Sequence, residues 1–235
     1  VTEEGAAQVT VEETLRWLHE EGLVRLAGLS GRMADAFAAY TIDVGTGSVS
    51  AHPAVGVGLA SEVITLTADD LPNPVGSPKR LVAVGITDSQ AVLVVDLAVA
   101  NSVSINADRP VKTVRSWALQ LLLNSEVTIT TNSADLAIDA SPRLRHSFIP
   151  GGGAAVVKVE DGRPPISSVA LNASDDRPDH LDAALDGTGE MYLGARYWRL
   201  RRVLSIEDDV WDALVDRLVA TGPHLTESAE SPGDS

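Results

Sequence analysis

The chain contains no cysteine. Disulfides, thiol nucleophiles and thiolate metal sites are therefore excluded, although the absence does not by itself assign a compartment. Aromatic residues are scarce, at 4%, so a hydrophobic core must be assembled from Val, Ala, Leu and Ile. Basic residues are outnumbered: 18 Lys and Arg stand against 33 Asp and Glu, a net charge of −15. A field of that sign repels phosphate backbones and anionic membranes, which argues against nucleic acid as a ligand. No uninterrupted apolar run reaches the ~18 residues a membrane helix needs, and no basic segment with an apolar core opens the sequence. The expectation is a soluble, cytoplasmic chain without a membrane segment; a piece cut from a membrane-anchored protein would read the same way.

Catalytic and metal-binding patterns are missing too. The five histidines never fall at the i, i+4 spacing of a zinc helix. His180 lies among Asp175, Asp176, Asp179 and Asp182, but without the alternating ligand spacing of a calcium loop. It reads as part of a solvated acidic loop. There is no G-x-S-x-G, and the glycines beside Ser30 and Ser48 read as turn residues. No catalytic residue, metal ligand or cofactor is assigned.

What is present is a foldable chain of 235 residues, 44% hydrophobic, long enough for one large or two small domains. Thr10 to Glu13 is a capping-box pattern, starting a helix that should run to about Gly22 with Leu15 and Leu18 inward. An Ala-rich helix is expected from Arg32 to Ala39. The period then changes. "YTIDV-GTGS-VSAH" and "SEVITLT" read as strands, the first two around a glycine turn.

"LPNPVGSPK", Leu71 to Lys79, is the best internal boundary. It separates a segment 1–70 from an α/β core over 71–222. Residues 223–235 form a polar tail, expected to be disordered. Within the core, "RLVAVGIT" and "AVLVVDL" flank a turn at Asp88-Ser89 as a hairpin. Val103–Ile105 is a strand and Val111–Asn124 a helix. "EVTITT", "AAVVKV" and "SSVALN" supply further strands, the second preceded by a flexible turn at Gly151–Gly153. "ASDDRPDHLDAALDGTGE" is loop-rich with one short central helix. "MYLGARYWRLRRVL" is a strand pair or one long strand. Ser205 caps a last helix, on which Trp211, Leu214 and Leu218 share a face.

The run Asn106 to Thr113 lies where a strand passes into a helix, the layout of a phosphate-binding P-loop, GxxxxGK[ST]. Lys112 and Thr113 match that pattern. Asn106 replaces the first glycine, and Val111, a β-branched residue, replaces the second. Asp108 puts a carboxylate in the cradle, or else caps the helix, and Pro110 removes an amide. Asp135, the nearest acid after the next strand, follows a polar turn and is poorly placed for magnesium. A second short pattern, Asp43 to Gly47, matches the phosphate loop of the actin and sugar-kinase class, and also an ordinary hairpin turn.

The stretch from Pro78 to Ser147 resembles a module of large membrane-anchored proteins of high-GC bacteria. That module is similar in turn to the P-loop ATPase domains of DNA translocases and type VII secretion motors. Leu81–Val84, Val95–Leu97, Ile105, the helix from Val111 and Arg143-Leu144-Arg145-His146 carry the likeness. What it implies is a RecA-like half-fold whose loop chemistry is lost.

One basic cluster stands out, "ARYWRLRR". As a strand it places Tyr197, Arg199 and Arg201 on one face, opposite Arg196, Trp198, Leu200 and Arg202. Arg, Tyr and Trp are the residue types enriched in binding hot spots, so Tyr197, Arg199 and Arg201 are the candidate protein-partner site. The fold expected is α/β, a mixed central sheet with a degenerate RecA-like unit and helices at the N-terminus and C-terminus. The function expected is that of a non-enzymatic, pseudo-ATPase-like interaction or scaffold module, accessory to a secretion or translocation apparatus. A homo-oligomer is compatible with it. The alternative is a nucleotide-binding protein or enzyme with an unrecognised site.

Overall fold

A computed structural model describes residues 9–32, 36–54, 62–138, 141–149, 154–173 and 177–221. The polar tail, Gly151–Gly153, and Asp175 and Asp176 lie outside the described residues.

The capping box forms as written: Glu13 N–H donates to Thr10 Oγ1, and the Glu13 carboxylate takes the Thr10 amide. Helix α1 (Val11–Trp17) does not stop near Gly22. It passes through one π-helical segment, Leu18–Gly22, into α2 (Leu23–Arg32). The helix expected over Arg32–Ala39 is corrected as well, because Phe37 opens strand β1 (Phe37–Asp43). Alanine's helix preference loses there to burial: Phe37, Ala39 and Tyr40 are fully buried between two paired strands.

The remaining strands are β2 (Val49–Pro53), β3 (Ile64–Leu66), β4 (Leu81–Thr87), β5 (Ala91–Asp96), β6 (Ser102–Asn106), β7 (Thr128–Thr131) and β8 (Leu144–His146). They continue with β9 (Ala155–Glu160), β10 (Ser167–Leu171), β11 (His180–Ala183), β12 (Gly189–Leu193) and β13 (Arg196–Val203). Helix α3 (Pro110–Leu122) follows β6, and α4 (Asp208–Thr221) follows β13. The hairpins expected around Gly45–Ser48 and Asp88-Ser89 form, as does the β12–β13 pair. Where a short helix was expected, His180 to Ala183 instead forms β11, held between β12 and β6.

The thirteen strands of the described residues join one mixed sheet in the order β3-β2-β1-β5-β4-β13-β12-β11-β6-β10-β9-β7-β8. β6 is parallel to both its neighbours, β10 and β11; β7 and β8 are also parallel, and the other pairs are antiparallel. Because β1 pairs with β5, residues on the two sides of Leu71–Lys79 share the sheet. That stretch is itself pinned, since Arg25 donates to the carbonyls of Leu71 and Pro72.

Two cores form, one on each side of the sheet. On one side α3 and α4 bring Val114, Trp117, Leu121 and Trp211 onto Val82, Val84, Ile105, Leu181, Met191 and Leu200. On the other, α1 and α2 bring Leu18, Leu23 and Leu26 onto Tyr40, Ile42, Ala83, Val92 and Val94. β4 and β5 lie between both cores and are buried along their whole length, which is why they read as continuous apolar runs. β12 alternates instead: Gly189, Met191 and Leu193 are buried, while Glu190 and Tyr192 are not. Among the described residues no helix covers that second face.

Candidate functional site

β6 delivers the chain to the carboxyl end of the parallel trio β10-β6-β11, where ligands of α/β sheets commonly bind. The turn there is short. Asn106 is the last residue of β6, and Pro110 is already the first of α3. Its fixed φ and missing N–H suit that position. Asp108 does not cap the helix; the cap position is Arg109, whose side chain makes no capping bond.

Four groups that a phosphate could use are engaged or withdrawn. The Ala107 amide donates to Asn172 Oδ1 at 2.9 Å, and Asn106 Nδ2 donates to Asp182 Oδ1 at 2.8 Å. Lys112 Nζ is ion-paired with Glu207, and Thr113 is buried. Arg109 and Arg115 converge on Asp208, each at 2.7 Å. The Arg115 hydrogen bond leads in holding the Asp208 carboxyl below its usual range. The cavity between this turn and the β11–β12 connection is about 140 Å³, below the ~300–1,000 Å³ of typical ligand pockets. Asp135 offers its backbone carbonyl, not its carboxylate, to Arg115. Ser205 does not cap α4 either: the helix begins at Asp208, and Glu207 O accepts from Trp211 N. Trp211 is buried on that helix and Leu214 partly so, but Leu218 is 41% exposed.

The other short pattern is a hairpin turn. Asp43 Oδ1 accepts from the Thr46 amide at 2.7 Å and the Thr46 hydroxyl at 2.8 Å, and Gly47 has φ +68°. Gly28 and Gly31, beside Ser30, are helical rather than turn residues. Among the described residues no group of His, Asp and Glu is arranged to hold a metal. Asp179 and Asp182 act as local acceptors, from the Gly194 amide and from Asn106.

The uncovered face of β11, β12 and β13 is where side chains gather. The two-residue turn at Gly194-Ala195 sets Tyr192 opposite Tyr197 and Glu190 opposite Arg199. β11 adds His180 opposite Tyr192 and Asp182 opposite Glu190. The rings form a ladder. His180 stacks on Tyr192 with centroids 4.5 Å apart, and Tyr192 lies 5.1 Å from Tyr197. Both tyrosine hydroxyls donate to Glu190, at 2.8 and 3.2 Å. Those bonds, with Arg199 nearby, lower the Glu190 pKa, and the same carboxylate pushes Tyr192 up to about 12.

Tyr197 is 44% exposed. The Arg199 side chain is 65% exposed and lies 3.9 and 4.0 Å from Glu190 and Asp88, beyond hydrogen-bond length. Arg201 is exposed and has no ion pair among the described residues. A groove of about 620 Å³ runs beside them, bounded by Asn106, Asp182, Thr188, Glu190, Arg199 and Arg201. The three residues singled out from sequence are thus brought to one face. The opposite face needs one correction. A bulge between Leu200 and Arg202 inserts a residue, so Arg202 does not share the inward side of Leu200. Trp198 is partly buried, edge-on to His52 at 5.2 Å.

No helix among the described residues is long and apolar enough to cross a membrane. No protein-family profile, no curated protein sequence and no solved structure matches this chain.

Proposed function

We propose that this chain is a non-enzymatic interaction or scaffold module that binds a protein partner through the open face of β13. It is pseudo-ATPase-like, keeping the strand-turn-helix of a RecA-like unit without its phosphate chemistry, and acts as an accessory of a secretion or translocation apparatus. The observation that carries the reading is the open face itself: Tyr197, half exposed and tied to Glu190, stands beside Arg199 and Arg201, two exposed arginines with no ion pair closer than 3.9 Å. The backbone beneath them is already ordered, so binding costs mainly the rotamer freedom of the two arginines, about 0.5–1.5 kcal/mol each. The arginines suit an acidic partner surface. The inactivity of the loop is supported by the engagement of Lys112 with Glu207 and by the small volume beside it.

The test is an Arg199→Glu, Arg201→Glu double variant assayed for partner capture and for folding. Loss of capture with an unchanged circular dichroism spectrum is expected, because exposed charges contribute little to stability. Unfolding of the variant would make the arginines internal counter-ions, and a folded variant with capture intact would move the site elsewhere. In parallel, ATP with magnesium should give no thermal stabilisation, and Lys112→Ala should melt like the wild type. Binding at ~1 μM, worth about −8 kcal/mol, would overturn the pseudo-ATPase half of the reading.

A further inference from the structure

Among the described residues the sheet ends in two unpaired edges, β3 and β8, and they are complementary in four separate respects. The first is charge. β3 is flanked by exposed Glu62, Asp69 and Asp70, whereas β8 carries exposed Arg145; the Arg143 guanidinium just before it is held by the carbonyls of Leu122, Asn124 and Val127. The second is direction. Following the pairings outward from β6, β8 runs parallel to it and β3 antiparallel. A second copy that continues the sheet in the same orientation therefore brings β3 against β8 as an antiparallel pair, the more stable kind.

The third is hydrogen-bond phase. Arg143 O and Ser147 N bond to β7, so alternation turns the N–H and C=O of His146 to the open edge. On the other side Asp43 N bonds to Ser48 O. Alternation then turns Val49 and Ala51 toward β3, and leaves the N–H and C=O of Thr65 facing out.

The fourth is apolar register. Setting Thr65 opposite His146 sets Val63 opposite Phe148. These are exposed by 43% and 86%, unusual for apolar residues beside a strand. The same register brings the Asp69-Asp70 turn to the N-terminal end of β8, the end that carries Arg145. Side-chain faces agree as well: Thr65 lies on the side of Leu93 through Ser50 and Thr41, and His146 on the side of Val157 through Thr131. Leu93 and Val157 belong to the same core.

We propose that copies of this chain associate head to tail, the β3 edge of one pairing antiparallel with the β8 edge of the next, with Thr65 opposite His146 and Val63 opposite Phe148. The contact is heterologous, so it is open-ended unless a ring closes. Each edge strand is only three residues long, which makes the association weak, concentration-dependent and sensitive to salt. This surface is separate from the β13 face, and the Arg199→Glu, Arg201→Glu variant should associate as the wild type does.

Light scattering coupled to size exclusion tests it. At about 0.1 M salt, where screening over ~10 Å damps the repulsion between whole copies of net charge −15 but spares contact-range pairs, the average mass should rise with concentration above the 24.6 kDa of one chain. At about 1 M salt, where screening extends ~3 Å, it should return to one chain. Proline at an outward-facing edge position spares the inner ladder. His146→Pro and Thr65→Pro should therefore each stay monomeric. Mixed together, they should form a dimer of twice one chain's mass, because each retains the edge the other needs.

Should either proline variant lose its circular dichroism signature, Arg145→Glu and Asp69→Lys replace them. Each alone should weaken association at least tenfold, and the double variant, with edge charges exchanged, should recover it. A wild type that is monomeric at every concentration at about 0.1 M salt overturns the proposal. So do proline variants that self-associate like the wild type, or a mixture that stays monomeric.

Discussion

Replacing Arg80 by Met should be among the most destabilising single changes in the chain, although Arg80 touches no candidate site. It precedes β4 and is 1% exposed. Its guanidinium donates to Asp161 Oδ1 at 2.8 Å, Ser167 Oγ at 2.7 Å, Arg163 O at 2.7 Å and to the Pro165 carbonyl. One buried cation thus gathers the whole β9–β10 connection, and Ser167 passes the link on to Leu97 O. Methionine keeps much of the volume but leaves a carboxylate with 9% side-chain exposure and several carbonyls without their donor. Breaking one partner of a buried ion pair costs about 3–5 kcal/mol. At roughly 2–4 °C per kcal/mol for a chain of this size, the melting point should fall by about 6–20 °C.

The assay is urea unfolding of wild type, Arg80→Met, Asp161→Leu and the double variant. The double variant should be less damaged than the sum of the singles, because the stranded carboxylate is gone. There is a pH signature too. Burial alone would raise the Asp161 pKa, but the hydrogen bond and charge of Arg80 outweigh it and hold the group below its ordinary value. The stability it contributes is present above the unfolded value near ~3.9 and is lost as pH falls through the lower folded value. Arg80→Met should lack that loss. A variant within about 1 kcal/mol of wild type would mean that water replaces the guanidinium, and the reasoning would fail.

Trp198→Ala should cost about 3 kcal/mol, the low end for a large aromatic because Trp198 is only partly buried, and should leave partner capture measurable at low temperature; urea midpoints check it. His52 should make the fold acid-sensitive. Burial first, and then the Arg196 charge, lower its pKa to about 4, against ~6.5 in the unfolded chain. The unfolded state binds more protons between those values, so stability present above about pH 6.5 is lost as pH falls toward 4, by roughly 2 kcal/mol once partial exposure is discounted. Burial raises the Asp96 pKa and works in the opposite sense. The informative measurement is therefore wild type against His52→Gln across that window, with a shallower slope expected for the variant. Parallel slopes would show that His52 is solvated.

Elements coded by near neighbours were legible in the sequence. The capping box at Thr10 and the hairpins at Gly45–Ser48 and Asp88-Ser89 rest on side chains and turn residues a few positions apart. Elements fixed by distant partners were not. Ala38 and Ala39 favour a helix locally, but become strand because Val95, far along the chain, supplies the ladder for Ala39. β11 carries His180 and Asp182, poor strand formers by composition. It exists because β12 and β6 hold it on both sides.

The candidate site divides along the same line. Alternation alone places Tyr197 and Arg199 together. The tight turn at Gly194-Ala195 would also have predicted Tyr192 and Glu190 opposite them, had the hairpin register been counted out. His180 could not have been found that way, since its place depends on a parallel pairing with Ser104. The edges are harder still. That acids flank β3 and an arginine lies in β8 is visible in the residues, but that these two strands bound one sheet follows only from the strand order. Adjacent acidic and basic segments would neutralise each other within a copy. Separated by eleven strands, they leave each copy with unlike ends, and a chain of net charge −15 gains a local route to self-association that its overall field opposes.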